Sequence, residues 1–261
     1  MNQTLQLIEN RRSLRAFSEK PVEEEILDTL KEATLRAPTA GNQMFYSIIE
    51  VTDTGKKAKL AELCDHQDMI ATAPIVWVFL ADCCKWDNFY IEGGSVEKGK
   101  ERGIASRRLG LGDMHLALQD AIIAAQNAVI AAESLGLGSC YIGDVIENHE
   151  QMKQLLDLKP HAMVAAMLIL GYPKSEKRTG KKTKRCPVDA IFMENSYKEP
   201  HLEQLKYAYA QQENDLREIS GLPDGNTGSI ADRFYFKKHT SAFMSEMNRS
   251  AEVMIDEWKN N

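Results

Sequence analysis

Residues 113–144 read DMHLALQDAIIAAQNAVIAAESLGLGSCYIGD. The pattern predicts one long helix, from Asp113 to Leu135, running almost directly into a short strand. Asp113 suits an N-cap, because a carboxylate there accepts the free N–H groups of a first turn. Gly136 suits the stop, because glycine takes the left-handed conformation that many helix ends require. Between them Leu116, Ala121, Ile122, Ala124, Ala125, Ala128, Val129, Ile130 and Ala132 leave little polar surface on any side. A helix that is apolar nearly all round belongs in the centre of a domain or at a large subunit interface. Its alanines would let another helix approach closely. Cys140–Ile142 follows as a strand candidate.

Downstream of this stretch, His149 to Leu158 predicts a helix and Met163 to Leu170 a buried strand ending at Gly171. Upstream, Tyr46–Val51 and Ile75–Leu80 are short, apolar, β-rich runs, as expected of strands covered on both faces. Neither alternates cleanly, so period alone leaves helix open for both. Thr4 to Asn10 reads as a short helix. Pro21 and Glu23-Glu24-Glu25 mark another helix start, since carboxylates favour the positive end of the helix dipole. Ile26, Leu27, Leu30, Ala33 and Ala37 then follow at helical spacing until Pro38 ends the helix. Trp86 to Gly112 is polar, charged and glycine-containing, the pattern of a long excursion or mobile cover. After Pro187 come polar helices near Leu202–Ile219 and Thr240–Lys259, separated by Gly221, Pro223, Gly225 and Gly228. This last third has too few apolar residues for a core of its own, so it should wrap around the main domain or a partner subunit.

A chain of 261 residues has room for one large domain or two small ones and can bury a full core. A net charge of −6 argues against a dedicated nucleic-acid binder, whose domains carry a basic face. Cys64, Cys83, Cys84, Cys140 and Cys186 form no C-x-x-C pair and no zinc-like spacing, which fits a reducing compartment. The N-terminus lacks an apolar stretch of signal length. The most apolar segment, Ala121 to Ala132, is short of the about 20 residues a membrane span needs. A soluble cytoplasmic protein is expected.

Four constellations could carry chemistry. Arg11-Arg12-Ser13-Leu14-Arg15 offers three guanidiniums and a hydroxyl, and the fixed fork of arginine matches phosphate oxygens; an isolated cluster of this kind is more often a solvated basic turn. Ala37-Pro38-Thr39-Ala40-Gly41-Asn42-Gln43 joins a helix to a strand, and a planar ligand could lie against its small residues; the plainer reading is a Gly/Asn turn. Gly136 to Asp144, with Leu170-Gly171-Tyr172-Pro173 later, would let backbone approach a ring system closely, or be a helix cap and a strand-end turn. Its G-x-G lacks the strand-then-helix order of a dinucleotide fingerprint. Finally, Lys174 to Arg185 holds seven Lys or Arg in twelve residues. Most of these read as a solvated loop, with Arg185, beside Cys186-Pro187, the one expected to turn inward. The six histidines show no H-E-x-x-H, and neither G-x-S-x-G nor a Walker loop is present. Cys83 and Cys84 read as a packing pair rather than a nucleophile.

Taken in order, these segments resemble the nitroreductase family, and within it the oxygen-insensitive NAD(P)H nitroreductase and flavin reductase branch. The resemblance is carried by R-R-S-L-R-A-F, then P-V and A-P-T-A-G-N-Q, H-Q-D-M-I-A-T-A-P, A-Q-N-A-V-I-A-A-E-S-L-G-L-G-S-C-Y-I-G, L-L-D-L, L-I-L-G-Y-P, K-R-C-P and E-N-S-Y. It spans about residues 3 to 200. It implies an α+β fold, a sheet sandwiched by helices, with FMN at each interface of a homodimer and C-terminal helices wrapping the partner subunit. Residues 1–200 would form the FMN-binding domain and 201–261 a helical extension of it. By position, the resemblance implies that Arg11, Arg12, Ser13 and Arg15 hold the phosphate and ribityl chain. Thr39, Gln67 and Met69 would lie along the flavin, and Tyr141, Ile142, Gly143 and Asp144 beside its ring system. Arg185, with Lys182, Thr183 or Lys184, would reach the cofactor again.

The activity so implied is two-electron, ping-pong hydride transfer from NADPH or NADH to a nitroaromatic, quinone or flavin, with FMN and no protein nucleophile carrying the chemistry. A specialised flavoenzyme on the same scaffold, or a non-catalytic flavin-binding protein, are the alternatives. Four features depart from the family pattern. Asp144 stands where many relatives have a second glycine, Thr183 where the branch tends to place a lysine, the 86–112 stretch looks long, and the tail matches poorly past residue 210.

Overall fold

The computed structural model describes residues 1–175, 182–220 and 229–260. Four strands, β1 (Tyr46–Glu50), β2 (Ile75–Asp82), β3 (Gly138–Ile142) and β4 (Ala162–Gly171), form one antiparallel sheet in the order β1-β2-β4-β3. β2 is buried along its whole length. Val76, Val78 and Leu80 point into one core, while Ile75, Trp77 and Phe79 point into another. Both faces are therefore apolar, which is why the sequence of β2 does not alternate. A register shift lies between Phe79 and Leu80, which pair with Ala166 and Val164. Ala165 is thus the extra residue of a bulge, and the change of phase lets β4 keep both faces apolar across it.

The helices α1 (Gln3–Asn10), α2 (Glu24–Leu35), α3 (Thr54–Leu63), α4 (Asp68–Thr72), α5 (Cys84–Glu92), α6 (Ser95–Glu101), α7 (Leu111–Ser134) and α8 (His149–Leu156) surround this sheet in sequence. α7 and α2 cover one face, with Ala121, Ala124, Ala125, Ala128 and Ala132 fully buried against Trp77, Phe79 and Leu168. α3, α4 and α8 cover the other through Leu60, Ile70 and Met152. The small side chains of α7 let it lie close to the sheet, as its composition suggests.

Three expectations need correction. The cap of α7 is Gly110, not Asp113. Asp113 sits one turn inside, where its carboxylate accepts the Gly110 N–H at 2.8 Å and two bonds from Arg107. The helix after Glu23 ends at Leu35, three residues before Pro38. The 86–112 stretch is not a bare excursion: it carries the end of α5 and all of α6. In α5, Trp86, Phe89 and Tyr90 share a helical face and make ring contacts of 5.6–5.7 Å. Gly94, left-handed at φ 72°, turns the chain into α6.

The chain divides into two compact units, Met1–Arg178 with Glu246–Asn261, and Thr179–Ser245. The second holds α9 (Leu202–Ser220) and α10 (Ile230–Phe234). Among its described residues Ala208 is the buried hydrophobic one, while Phe192 and Tyr197 stand almost wholly exposed. Among the described residues this unit shows no core of its own, in keeping with its polar composition. The Gly221 to Gly228 breaks lie outside the described residues.

The last helix, α11 (Ala242–Asn260), enters the first unit at Glu246. From there it docks on its own chain. Met254 and Trp258 fill a small core with Phe45, Ala81, Cys83, Ala117 and Met163. Trp258 Nε1 donates to the Gly110 carbonyl at 3.1 Å. Arg249 pairs with Glu150 of α8 and with Glu246, and buried His149 meets Glu257 at 3.1 Å. Of the two alternatives for the last third, the main domain or a partner subunit, this helix from Glu246 onward packs on the main domain. Among the described residues no helix is long and apolar enough to cross a membrane.

Candidate functional site

The segment after α1 runs against the outer edge of the sheet. Ser13 forms a parallel bridge with Ser139, and the Leu14 N–H donates to the Ser139 carbonyl at 2.8 Å. Farther on, Ser18 N–H donates to the Tyr172 carbonyl, and Phe17 bridges Pro173. The approach requires glycine on the sheet side. A Cβ at Gly138 would stand 2.5 Å from Leu14 Cδ2, and one at Gly171 2.7 Å from Pro74 Cγ. Gly171, read from sequence as a possible approach to a ring system, thus makes room for Pro74 and Phe17. At Gly143 a Cβ would meet nothing within 4 Å; that side of the backbone is open.

This docking concentrates polar groups at β3. Ser139 Oγ and Arg11 Nη1 are buried and make no hydrogen bond. Leaving such groups unpaired is costly, and both stand beside Ser13. Arg15, Arg11 and Ser13 all act on the Cys140 thiol: burial pushes it up, and the two guanidiniums and the Ser13 hydrogen bond oppose that. Burial likewise pushes the Tyr141 phenol up to about 12, with Arg11 opposing. Arg12 is partly buried, and Ser13 and Arg15 are exposed. The donor set suits an anionic, hydroxyl-bearing tail: guanidiniums for phosphate oxygens and orphaned serine and arginine atoms for the polar groups next to it.

Ile142 turns its side chain into the core, so only its backbone can face a ligand. Asp144 lies in a single 3-10 turn, Gly143–Ile146. Its carboxylate does not stand free, because Gln67 Nε2 donates to Asp144 Oδ2. Met69, partly buried, packs on the same core from α4. Gln67, Met69, Tyr141, Gly143 and Asp144 are thereby gathered with Arg11–Arg15 at the β3 side of the sheet.

Thr39 is placed elsewhere. It opens the loop before β1, the opposite edge strand, three strand spacings of about 4.8 Å from β3. Thr39 Oγ1 accepts the Met44 N–H at 3.2 Å. Gln43 is tied to α5 at both ends: Trp86 Nε1 donates to its carbonyl at 2.6 Å, and its amide donates to Tyr90 Oη at 3.1 Å. Lys182, Thr183, Lys184 and Arg185 are exposed in the second unit, so the inward turn expected of Arg185 is not what the structure has. Lys177, Arg178 and Lys181 of the same basic run lie outside the described residues.

A model of the nitroreductase family matches residues 8–172. The chain belongs to the nitroreductase family. Among relatives, it is 35% identical over 197 residues to the FMN reductase (NADPH) of Bacillus subtilis, covering 76% of this chain and 75% of that one. It is 31% identical to the oxygen-insensitive NADPH nitroreductase of Salmonella typhimurium, covering 81% of each. The solved structure of the NfrA1 nitroreductase from B. subtilis superposes with a TM-score of 0.75 at 26% identity, over 97% of this chain and 98% of that one.

Two contributors to the site were missed by sequence reasoning. Gly138 was grouped with a glycine-rich turn, but its partner is Leu14, 124 positions earlier, and spacing alone could not name it. Asp120, just before the apolar run from Ala121, was given no role. It is buried, and its two oxygens accept the Ala40 and Phe45 N–H groups at 2.9 and 3.1 Å, clasping the Thr39 loop. One signal was available: Asp120 is the lone charged residue between Asp113 and Glu133 in a helix otherwise apolar all round. An isolated buried carboxylate needs donors.

Proposed function

We propose that this nitroreductase-family chain is a cytoplasmic, homodimeric flavoprotein that holds FMN and passes two electrons from NADPH or NADH to a small acceptor such as a nitroaromatic, a quinone or a free flavin. The observation that carries the reading is the docking of Arg11–Arg15 on β3, which leaves Arg11 Nη1 and Ser139 Oγ buried without partners beside an open Gly143. Arg11, Arg12, Ser13 and Arg15 would hold the phosphate and ribityl chain, and Gln67, Met69 and the Tyr141–Asp144 backbone would flank the ring. When bound, FMN supplies the hydride chemistry. The protein's part is to orient the ring and to set its electrostatics. Arg185 with Lys182, Thr183 or Lys184 would approach the same cofactor.

A homodimer is supported by two features. Leu5 and Ile8 of α1 and Leu116, Ile122 and Ile123 of α7, which packs on α1, are exposed although large and apolar; such patches mark interaction surfaces. Thr39, at the far edge of its own sheet, would meet a flavin on β3 only across a subunit interface. The exposed apolar residues of the second unit, Val188, Ile191 and Phe192 among them, suit wrapping of that partner. All five cysteines are unpaired, as suits a reducing compartment.

The test is the absorption spectrum of the purified protein before and after each nicotinamide, followed by an acceptor panel. A bound flavin bleached by NADPH or NADH and recoloured by an acceptor is expected. A colourless protein that refuses added FMN would sink the reading. Arg15→Ala should release most of the cofactor, and unchanged flavin occupancy would count against its phosphate role.

A further inference from the structure

Asp120 lies in the middle of α7, 3% exposed. No lysine or arginine pairs with it among the described residues; its hydrogen-bond partners are the N–H groups of Ala40 and Phe45. These mark the two ends of a loop that contains Thr39's neighbours Ala40 to Met44. Inside the loop Gly41, Asn42 and Met44 all have φ between 51° and 57°, the left-handed region, and Asn42 and Met44 carry side chains there. Such a conformation persists only where its surroundings over-determine it. Besides its own backbone bonds, three side-chain restraints hold the loop: Thr39 Oγ1 on the Met44 N–H, the Trp86 and Tyr90 bonds to Gln43, and the Asp120 clasp. Only the last holds both ends at once and joins them to a rigid helix.

The chemistry of the clasp calls for a carboxylate. Two N–H donors converge on two oxygens of one side chain. An amide has one acceptor oxygen, and its NH2 would face the second N–H donor to donor. The aspartate also exerts its charge nearby: after burial, it is the next cause raising the Tyr46 phenol.

We propose that Asp120 is a positioning residue that presets the Thr39–Gln43 loop as a wall for the flavin ring. This rests on the reading of the chain as an FMN protein. Asp120 need not touch the cofactor. It holds the loop in its binding conformation beforehand, so that binding does not have to order it.

Ring and phosphate contacts separate if FMN is compared with riboflavin, which lacks the phosphate. Apo-protein would be titrated with each by quenching of flavin fluorescence, and its thermal unfolding followed in parallel. Asp120→Asn should weaken FMN and riboflavin by the same factor, about tenfold, the worth of one lost hydrogen bond. Arg15→Ala should instead weaken FMN and leave riboflavin nearly unchanged. Gly41→Ala perturbs the loop independently, since a side chain at φ 56° is strained while its Cβ meets only the Gln43 side chain at 3.5 Å. If Asp120 acts through the loop, Gly41→Ala also weakens both flavins, and the double variant loses less than the two single losses combined.

A folded Asp120→Asn protein with unchanged flavin affinity, or with a loss confined to FMN, overturns the proposal. Should Asp120→Asn fail to fold, Gly41→Ala decides: wild-type affinity for both flavins overturns it, and a matched loss supports it. Failure of the wild-type protein to bind either flavin would refute the broader reading instead, which is a distinct outcome.

Discussion

Replacing Gly138 by alanine tests the contact that brings the arginine segment to the sheet. The added methyl would stand 2.5 Å from Leu14 Cδ2, 2.9 Å from its Cβ and 3.2 Å from its Cγ. Leu14 cannot yield by rotating its tip alone, because its Cβ is also too near. The Leu14 backbone must shift, and with it the 2.8 Å bond from its N–H to Ser139. Overpacking of this kind costs about 1–3 kcal/mol, and a lost backbone hydrogen bond about 1 kcal/mol. The expected destabilisation is therefore about 2–4 kcal/mol, read as a fall in the urea midpoint of the apo-protein at unchanged m-value. Because Arg11 to Arg15 move with Leu14, FMN should bind about tenfold more weakly if one of their proposed phosphate contacts is impaired. Adding Leu14→Ala removes Cγ and Cδ2 and leaves only the Cβ clash. The double variant should lose less than the sum of the singles. Additive losses, or an alanine variant within about 0.5 kcal/mol of wild type, a typical surface-substitution effect, would refute the account of this contact.

Trp258→Ala should cost about 3–5 kcal/mol by denaturant unfolding, since a 2% exposed indole leaves the core shared with Phe45 and Met163. Trp258→Phe should cost less but still remove the indole bond to the Gly110 carbonyl, which keeps the Met114 N–H at 3.2 Å; a Trp258→Ala protein as stable as wild type would show that α11 is not anchored there. Hydrogen bonds from Arg249 hold the Glu150 and Glu246 carboxyls down to about 2. Their stabilisation is therefore complete above the ordinary value of 4.5 and is lost as pH falls from there towards 2. Arg249→Ala should flatten that loss, modestly because these groups are screened by solvent; identical urea midpoints against pH for both proteins would contradict it. Ile122→Asp with Ile123→Asp should convert the proposed dimer to monomer in sedimentation velocity, and a wild-type sedimentation coefficient would remove α7's exposed face from the proposed interface.

Much of the framework was legible because it rests on local patterns. The strands near Tyr46, Ile75, Cys140 and Met163 and the α7 helix could be read from runs of apolar residues. The cap of α7 could not. Asp113 has the right chemistry for a first residue, but a carboxylate one turn inside can instead reach back to the N–H of the cap residue, here Gly110. The helices of the 84–101 stretch were hidden because α5 interleaves its aromatics with charge and α6, SVEKGKE, has almost no apolar face, so both give a weak periodic signal. At the site, the cationic segment and the β3 turn could be named by resemblance. Their meeting could not, since it depends on a single bridge between Ser13 and Ser139.

The amino-acid sequence by itself determined where the apolar runs of the sheet lie, that one alanine-rich helix must be central, and that the last third has too few apolar residues for a core of its own. Each of these follows from side-chain polarity and backbone preference within a few residues of chain. Only the tertiary structure decided that Gly138 yields to Leu14, that Gln67 engages Asp144, and that Asp120 clasps both ends of the Thr39 loop. Those are contacts between residues 75 to 124 positions apart. Their energy depends on distances of a few tenths of an ångström, which packing sets and a linear pattern does not encode.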